Sequence, residues 1–188
     1  MKAIYLDNAA TTKIDDEVLA LMYKTQQENF GNPSSTHQFG RKAKSAVETA
    51  RKNIAKHFNV SASEIVFTAG GTEADNLILN NAVLNLGVKR IITSKIEHHA
   101  VLHTCMHLHK TYNISLDFVN VDEYGLINSN HLEELLSASS DKTLVSLMHI
   151  NNEIGNILSL DEVWGWGLSP ASRFICGRAD GFGFCKLD

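Results

Sequence analysis

The sequence predicts an α/β protein built on a mostly parallel sheet with helices on both faces. Three observations carry that expectation. Short apolar runs rich in Ile, Val and Leu alternate with longer stretches whose apolar residues recur at helical spacing. Most of the short runs are followed by a turn of small or polar residues and then by a helix-like stretch, and parallel strands can be joined only through such crossovers. At 188 residues, with 44% hydrophobic and 20% charged side chains, the chain can bury one sizeable core.

The same figures exclude several classes. No apolar run is long enough to span a bilayer, and Met1–Asp7 lacks the apolar centre of a secretory signal. A net charge of −4 gives no reason to expect a nucleic-acid partner. Cys105, Cys176 and Cys185 cannot make an even disulfide framework. The expectation is a cytoplasmic protein with reduced thiols and no membrane partner.

Taken in order, residues 1–14 form an N-terminal segment that runs into the small polar loop Asp7-Asn8-Ala9-Ala10-Thr11-Thr12. A partial large domain is expected over 15–163. From Asp15 to Glu28, Val18, Leu19, Met22 and Tyr23 mark a helix behind an acidic start. Phe30 to His37 is turn-rich. Arg41 to Phe58 is a second helix, with Ala43, Ala46, Val47, Ala50, Ile54 and Phe58 as its buried face and its basic residues as the solvated side. Glu64-Ile65-Val66-Phe67 reads as a short buried strand, and Leu77 to Leu84 as an apolar helix.

Farther on, Arg90 to Ser94 is a strand, and Glu97-His98-His99 opens a helix that runs to about Lys110. Ile114 to Val121 is a strand, Glu123-Tyr124-Gly125 a turn, Asn130 to Ser137 a helix and Thr143 to His149 a strand. Residues 164–188 break the pattern. They hold five of the twelve glycines, both tryptophans and two of the three cysteines, and read as an atypical, loop-rich tail. A shift of reading frame near Val163 is one expectation for its origin.

Between the strand at 64–67 and the helix at 77–84 stands Thr68-Ala69-Gly70-Gly71-Thr72-Glu73-Ala74-Asp75-Asn76. A helix N-terminus leaves amide donors unpaired and its dipole favours anions. Gly70 and Gly71 permit close approach and positive φ, while Thr72 can cap the helix or donate its hydroxyl. An ordinary threonine-capped turn is the competing account. His98 suits ring stacking or proton transfer, against a plain helix-cap role. Asn151, Asn152 and Glu153 offer an amide to a ligand ring or form a polar turn. In an open parallel sheet ligands bind beyond the carboxyl ends of strands, so these three segments are expected to converge. His99, His103 and His107 share a helix face, but no carboxylate stands where His-Glu-x-x-His chemistry needs one, so no metal is expected.

Five segments, taken together, resemble the cysteine desulfurases, class-V enzymes of fold type I that use pyridoxal 5′-phosphate. They are Leu6–Thr12, Phe30–Ser35, Phe67–Leu77, Lys95–Leu102 and Met148–Gly155, and the resemblance covers about residues 3–163. It implies a partial pyridoxal-phosphate transferase large domain. It also implies that Gly71 and Thr72 hold the cofactor phosphate, that His98 stacks on its ring and assists proton transfer, and that Asn152 bonds its phenolic oxygen. The substrate would be L-cysteine, leaving L-alanine and a persulfide whose sulfur passes to an acceptor protein for iron–sulfur cluster assembly or tRNA thiolation. Family members are homodimers.

The departures shape the expectation as much. Where an Asp-x-x-Gln pair should contact the ring, the chain holds Gly177-Arg178-Ala179-Asp180. The Ser-x-His-Lys segment that carries the Schiff-base lysine, and the loop cysteine, find no counterpart; Cys105, Cys176, Cys185 and Lys186 fit neither place. This chain is therefore expected to be inactive as a desulfurase, and prone to aggregate where its sheet lacks cover. Three alternatives stand beside this: a fragment of a selenocysteine lyase or other class-V aminotransferase, a non-catalytic phosphate- or pyridoxal-phosphate-binding fragment, and a zinc site on the histidine-bearing helix.

Overall fold

The computed structural model describes residues 3–159 in full, and the backbone of 172–178 and 183–186. It divides into two compact units, Met1–Phe67 and Thr68–Asp188.

The first unit is helical. α1, Asp16–Glu28, starts where Asp15 accepts the Glu17 N–H at 2.8 Å. α2, Gln38–Phe58, starts at His37, whose Nδ1 accepts the Gly40 N–H at 3.3 Å, and stops at Asn59, which adopts the left-handed conformation. The face of α2 expected to be buried is only partly so: Ala43 is buried while Val47 and Ala50 are not. On α1, Val18, Leu19, Met22 and Tyr23 are all exposed. Apolar periodicity makes a helix but does not supply the surface that covers it.

The strand expected at 64–67 does not form. Ser61 and Glu64 close a capping box around a 3₁₀ turn at Ala62–Glu64, which takes the first of its residues. The rest stays extended without a ladder: Val66 and Phe67 are exposed, the Ile65 carbonyl accepts the Arg51 guanidinium, and that guanidinium lies 4.7 Å from the centre of the Phe67 ring.

The second unit holds the sheet. Its helices are α3 (Gly71–Leu84), α4 (His99–Tyr112) and α5 (Ser129–Ser137). Its strands are β1 (Arg90–Ser94), β2 (Ser115–Val119), β3 (Thr143–Ile150), β4 (Ser172–Arg178) and β5 (Gly183–Lys186). The order is β2-β1-β3-β4-β5, parallel throughout except for the antiparallel pair β4–β5. Strands over 172–178 and 183–186 correct the loop-rich reading of the tail. The run Arg173-Phe174-Ile175-Cys176 pairs with the free edge of β3, and a vacant parallel edge selects a strand that no alternation announces. Trp164–Gly167, Ala179 and Asp180 lie outside the described residues, as does the helix start expected at 160–163.

Two apolar clusters cover the sheet. One joins Leu79, Ala82 and Val83 of α3 and Val101, Cys105 and Leu108 of α4 to Ile91 and Leu144. The other sets Leu132 of α5 against Ile92, Val119, Val145 and Leu147. Alternate residues of β1 and β3 thus feed opposite layers, and β1 is buried along its whole length. No described helix is long and apolar enough to cross a membrane.

Candidate functional site

β1 and β3 are adjacent and parallel, so the residues after each emerge at the same sheet edge. Glu97 and His98 follow β1; Asn151 and Asn152 follow β3. The glycine turn opens the second unit, and no strand precedes it. There α3 packs on α4, and the Thr104 hydroxyl of α4 bonds Asn76 Oδ1 of α3 at 2.7 Å. Asn76 in turn donates to the Thr72 carbonyl at 2.7 Å, which ties the first turn of α3 to α4.

The helix starts at Gly70, and no side chain caps it. Thr72 is exposed and does not take the cap, which corrects that part of the expectation. Neither glycine lies in the left-handed region: Gly70 is extended at φ 167°, ψ 179°. A Cβ on Gly70 would meet nothing within 4 Å, so the approach to the helix end is open. The Glu73 carboxylate turns back to accept the Ala69 N–H at 2.6 Å. The amides of Gly71, Thr72 and Glu73 are left with no partner among the described residues. An open, uncapped helix end with three such donors fits a phosphate.

His98 is the N-cap of α4, at φ −60° and ψ 146°. Its Nδ1 accepts the Ala100 N–H at 3.1 Å, so the neutral ring carries its proton on Nε2. The ring is exposed. The helix-cap and ring-presenting roles are compatible, because the cap uses one nitrogen in the ring plane; the His99 ring stands tilted with its centre 6.3 Å away. Burial pushes the Asp75 carboxyl up, and the nearby His98 opposes that rise.

Asn152 is half-buried in the turn after β3. That turn is built by its neighbour Asn151, whose Oδ1 accepts the Glu153 N–H at 2.9 Å and the Ile154 N–H at 3.2 Å. The Asn151 N–H donates to Asn156 O at 2.9 Å and its carbonyl accepts the Gly155 N–H at 2.8 Å. A second turn supports it from outside: Asn156 Nδ2 donates to the Tyr124 carbonyl at 2.5 Å.

Sequence reasoning gave Glu97 no part, and it gave Asn151 a ligand amide or a polar turn, of which the structure shows the turn. Both are 7% exposed. Burial pushes the Glu97 carboxyl up to about 8, against the opposing Met148 N–H and Ser94 hydroxyl, with the Asp75 charge adding to the rise. Cys105, fully buried nearby, is pushed up to about 12 by burial, then by Glu97 and Asp75. The available signal was position: a carboxylate and an amide, each one residue before a candidate ligand-binding residue. On α4, the His99 and His103 rings stack at 5.2 Å between centres. No group of three or more His, Cys, Asp or Glu side chains suited to a metal occurs among the described residues.

The aminotransferase class-V family profile matches residues 4–165. The chain belongs to that family. The cysteine desulfurase IscS of Dictyoglomus turgidum is 43% identical over 164 residues, which is 86% of this chain and 41% of the relative. A NifS-like protein superposes with a TM-score of 0.81 at 37% identity, covering 90% of this chain and 47% of the other. The structure of SspA in complex with cysteine gives a TM-score of 0.80 at 34% identity, over 92% and 49% of the two chains. This class-V chain therefore spans somewhat under half the length of these relatives, and it has the α/β architecture of part of a fold type I large domain.

Proposed function

We propose that this class-V chain carries the phosphate- and ring-binding portion of a pyridoxal 5′-phosphate-dependent cysteine desulfurase. The observation that carries the reading is the open, uncapped start of α3 packed beside the start of α4. The amides of Gly71 and Thr72, with the Thr72 hydroxyl, hold the phosphate, and the helix dipole adds about 0.3–1 kcal/mol to an anion placed there. His98 lays its exposed ring against the cofactor ring and moves a proton through Nε2, since Nδ1 is occupied by the Ala100 N–H. The Asn152 amide donates to the phenolic oxygen. Bound there, the cofactor supplies an electron-accepting ring to bond cleavage in an amino acid.

For the whole protein the reading names L-cysteine as substrate, a homodimer as the assembly and a sulfur-acceptor protein as partner. The match to cysteine desulfurases supports it. These 188 residues alone lack a Ser-x-His-Lys segment. We expect them to release no sulfide or alanine from L-cysteine, with the 164–188 segment contributing no catalytic group.

Equilibrium dialysis tests the proposal. Pyridoxine 5′-phosphate, which cannot form a Schiff base, is expected to bind at least about tenfold more tightly than pyridoxine, the phosphate being held by several charge-assisted bonds. Thr72→Val should narrow that gap. Equal affinity for the two, or turnover of L-cysteine by this chain, would overturn it.

A further inference from the structure

Glu97 Oε1 accepts the Met148 N–H at 2.5 Å, and Asn151 Nδ2 donates to the Ile96 carbonyl at 2.8 Å. The two bonds are reciprocal. A side chain leaving the β1 edge grips the backbone of β3, and a side chain leaving the β3 edge grips the backbone after β1. Each gripping residue stands immediately before a residue assigned to the cofactor ring: Glu97 before His98, Asn151 before Asn152. Ser94 adds its hydroxyl to Glu97 Oε1 at 3.4 Å. Neither bond is needed to hold β1 to β3, whose ladder runs from Arg90↔Thr143 to Ile92↔Val145 and stops short of the clamp. Beyond Ile92, these side chains join the two exits.

We propose that Glu97 and Asn151 are positioning residues, a two-bond clamp that sets the separation of His98 and Asn152 and thereby the fit of the cofactor ring. This rests on the assignment of His98 and Asn152 made above. Neither clamp residue touches the phosphate end of the site, which belongs to α3. The clamp therefore acts on ring recognition and leaves phosphate recognition alone. A neutral carboxyl suits the position, because one oxygen accepts from Met148 while the group as a whole stays uncharged within the protein.

The test compares two probes, inorganic phosphate and pyridoxine 5′-phosphate, on the full 188-residue chain. Glu97→Leu removes the acceptor. Asn151→Asp keeps the oxygen that builds the turn and, as the carboxylate, replaces the donor to Ile96 with an oxygen that the carbonyl repels, so it breaks the other bond of the clamp. Both are expected to weaken pyridoxine 5′-phosphate about tenfold, since displacement of a binding group by about 1 Å has costs of that order or more, while inorganic phosphate stays within about twofold. Glu97→Gln, which restores an oxygen to the Met148 N–H, should recover most of the lost affinity.

A second readout needs no ligand. Amide exchange at Met148 should quicken in Glu97→Leu and recover in Glu97→Gln, while exchange at Ile92 in the ladder is unmoved. Equal weakening of both probes, or exchange at Met148 and Ile92 changing together, would overturn the clamp. If the parent chain binds inorganic phosphate and not pyridoxine 5′-phosphate, the cofactor assignment fails, and the exchange measurement still decides whether the clamp exists.

Discussion

Glu97 reaches out of the β1–α4 connection to take the Met148 N–H at 2.5 Å, so an acid 7% exposed sits where a sheet would otherwise place a backbone carbonyl. Its burial makes the fold sensitive to alkali. The folded carboxyl titrates at about 8 against an ordinary value of 4.5, so between those values the folded chain holds a proton that the unfolded chain has lost. Its contribution is fully present below 4.5 and disappears as the pH rises through 8. Urea melts should show stability falling across that window by up to about 1.4 kcal/mol per pH unit from this group, a slope that Glu97→Gln reduces to what other raised carboxyls such as Asp75 contribute. A wild-type slope equal to that of the glutamine variant would contradict the burial.

Arg90 is buried at the start of β1, with Nε 2.6 Å from Asp117 Oδ2 and Nη1 2.5 Å from the Leu135 carbonyl. It joins α5 to β1 and β2. Arg90→Met should cost about 2 kcal/mol, below the roughly 3–5 kcal/mol of a fully buried pair because Asp117 keeps partial access to water. Chemical denaturation of the two proteins measures it.

Gly125 has φ +79°, and a Cβ there would stand 2.5 Å from Ile154 Cδ1 and 2.9 Å from Asn156 Nδ2. Gly125→Ala is therefore strained in its backbone and crowded against the turn that carries Asn152. A loss of about 1–3 kcal/mol is expected. The accompanying loss of pyridoxine 5′-phosphate affinity should exceed any loss for inorganic phosphate.

Cys105 is fully buried, with its thiol pushed up to about 12. Under native conditions at pH 8, peptide mapping after iodoacetamide treatment should find Cys105 unmodified, and urea should expose it. Labelling at Cys105 in the native state would show that the α3–α4 layer opens readily.

The sequence was readable wherever a segment's fate depended on itself. The helices at 16–28, 38–58, 99–112 and 129–137 and the strands at 90–94, 115–119 and 143–150 lie where periodicity and caps put them, within a few residues, while the helix expected from Leu77 begins six residues earlier, at Gly71. It was unreadable where a neighbour decided. Ile65-Val66-Phe67 has strand composition and no ladder, while Ser172–Arg178 has an interrupted pattern and pairs with β3. The same division runs through the site. His98 and Asn152 stand out as residue types at strand exits, but the bonds of Glu97 and Asn151 join positions more than fifty residues apart, and no local pattern encodes them.

The order β2-β1-β3 means that the chain between β1 and β3 makes a return journey: out over α4 to an outer strand, back over α5, and in again beside its starting point. The homeward bend at 138–142 is mostly exposed and lies at the opposite end of the strands from His98 and Asn152. Lengthening a surface loop costs little, about 0.6 kcal/mol per doubling. That bend is thus a natural port for a genetically inserted reporter or affinity tag, one that would ride on the protein without altering the spacing at the far edge.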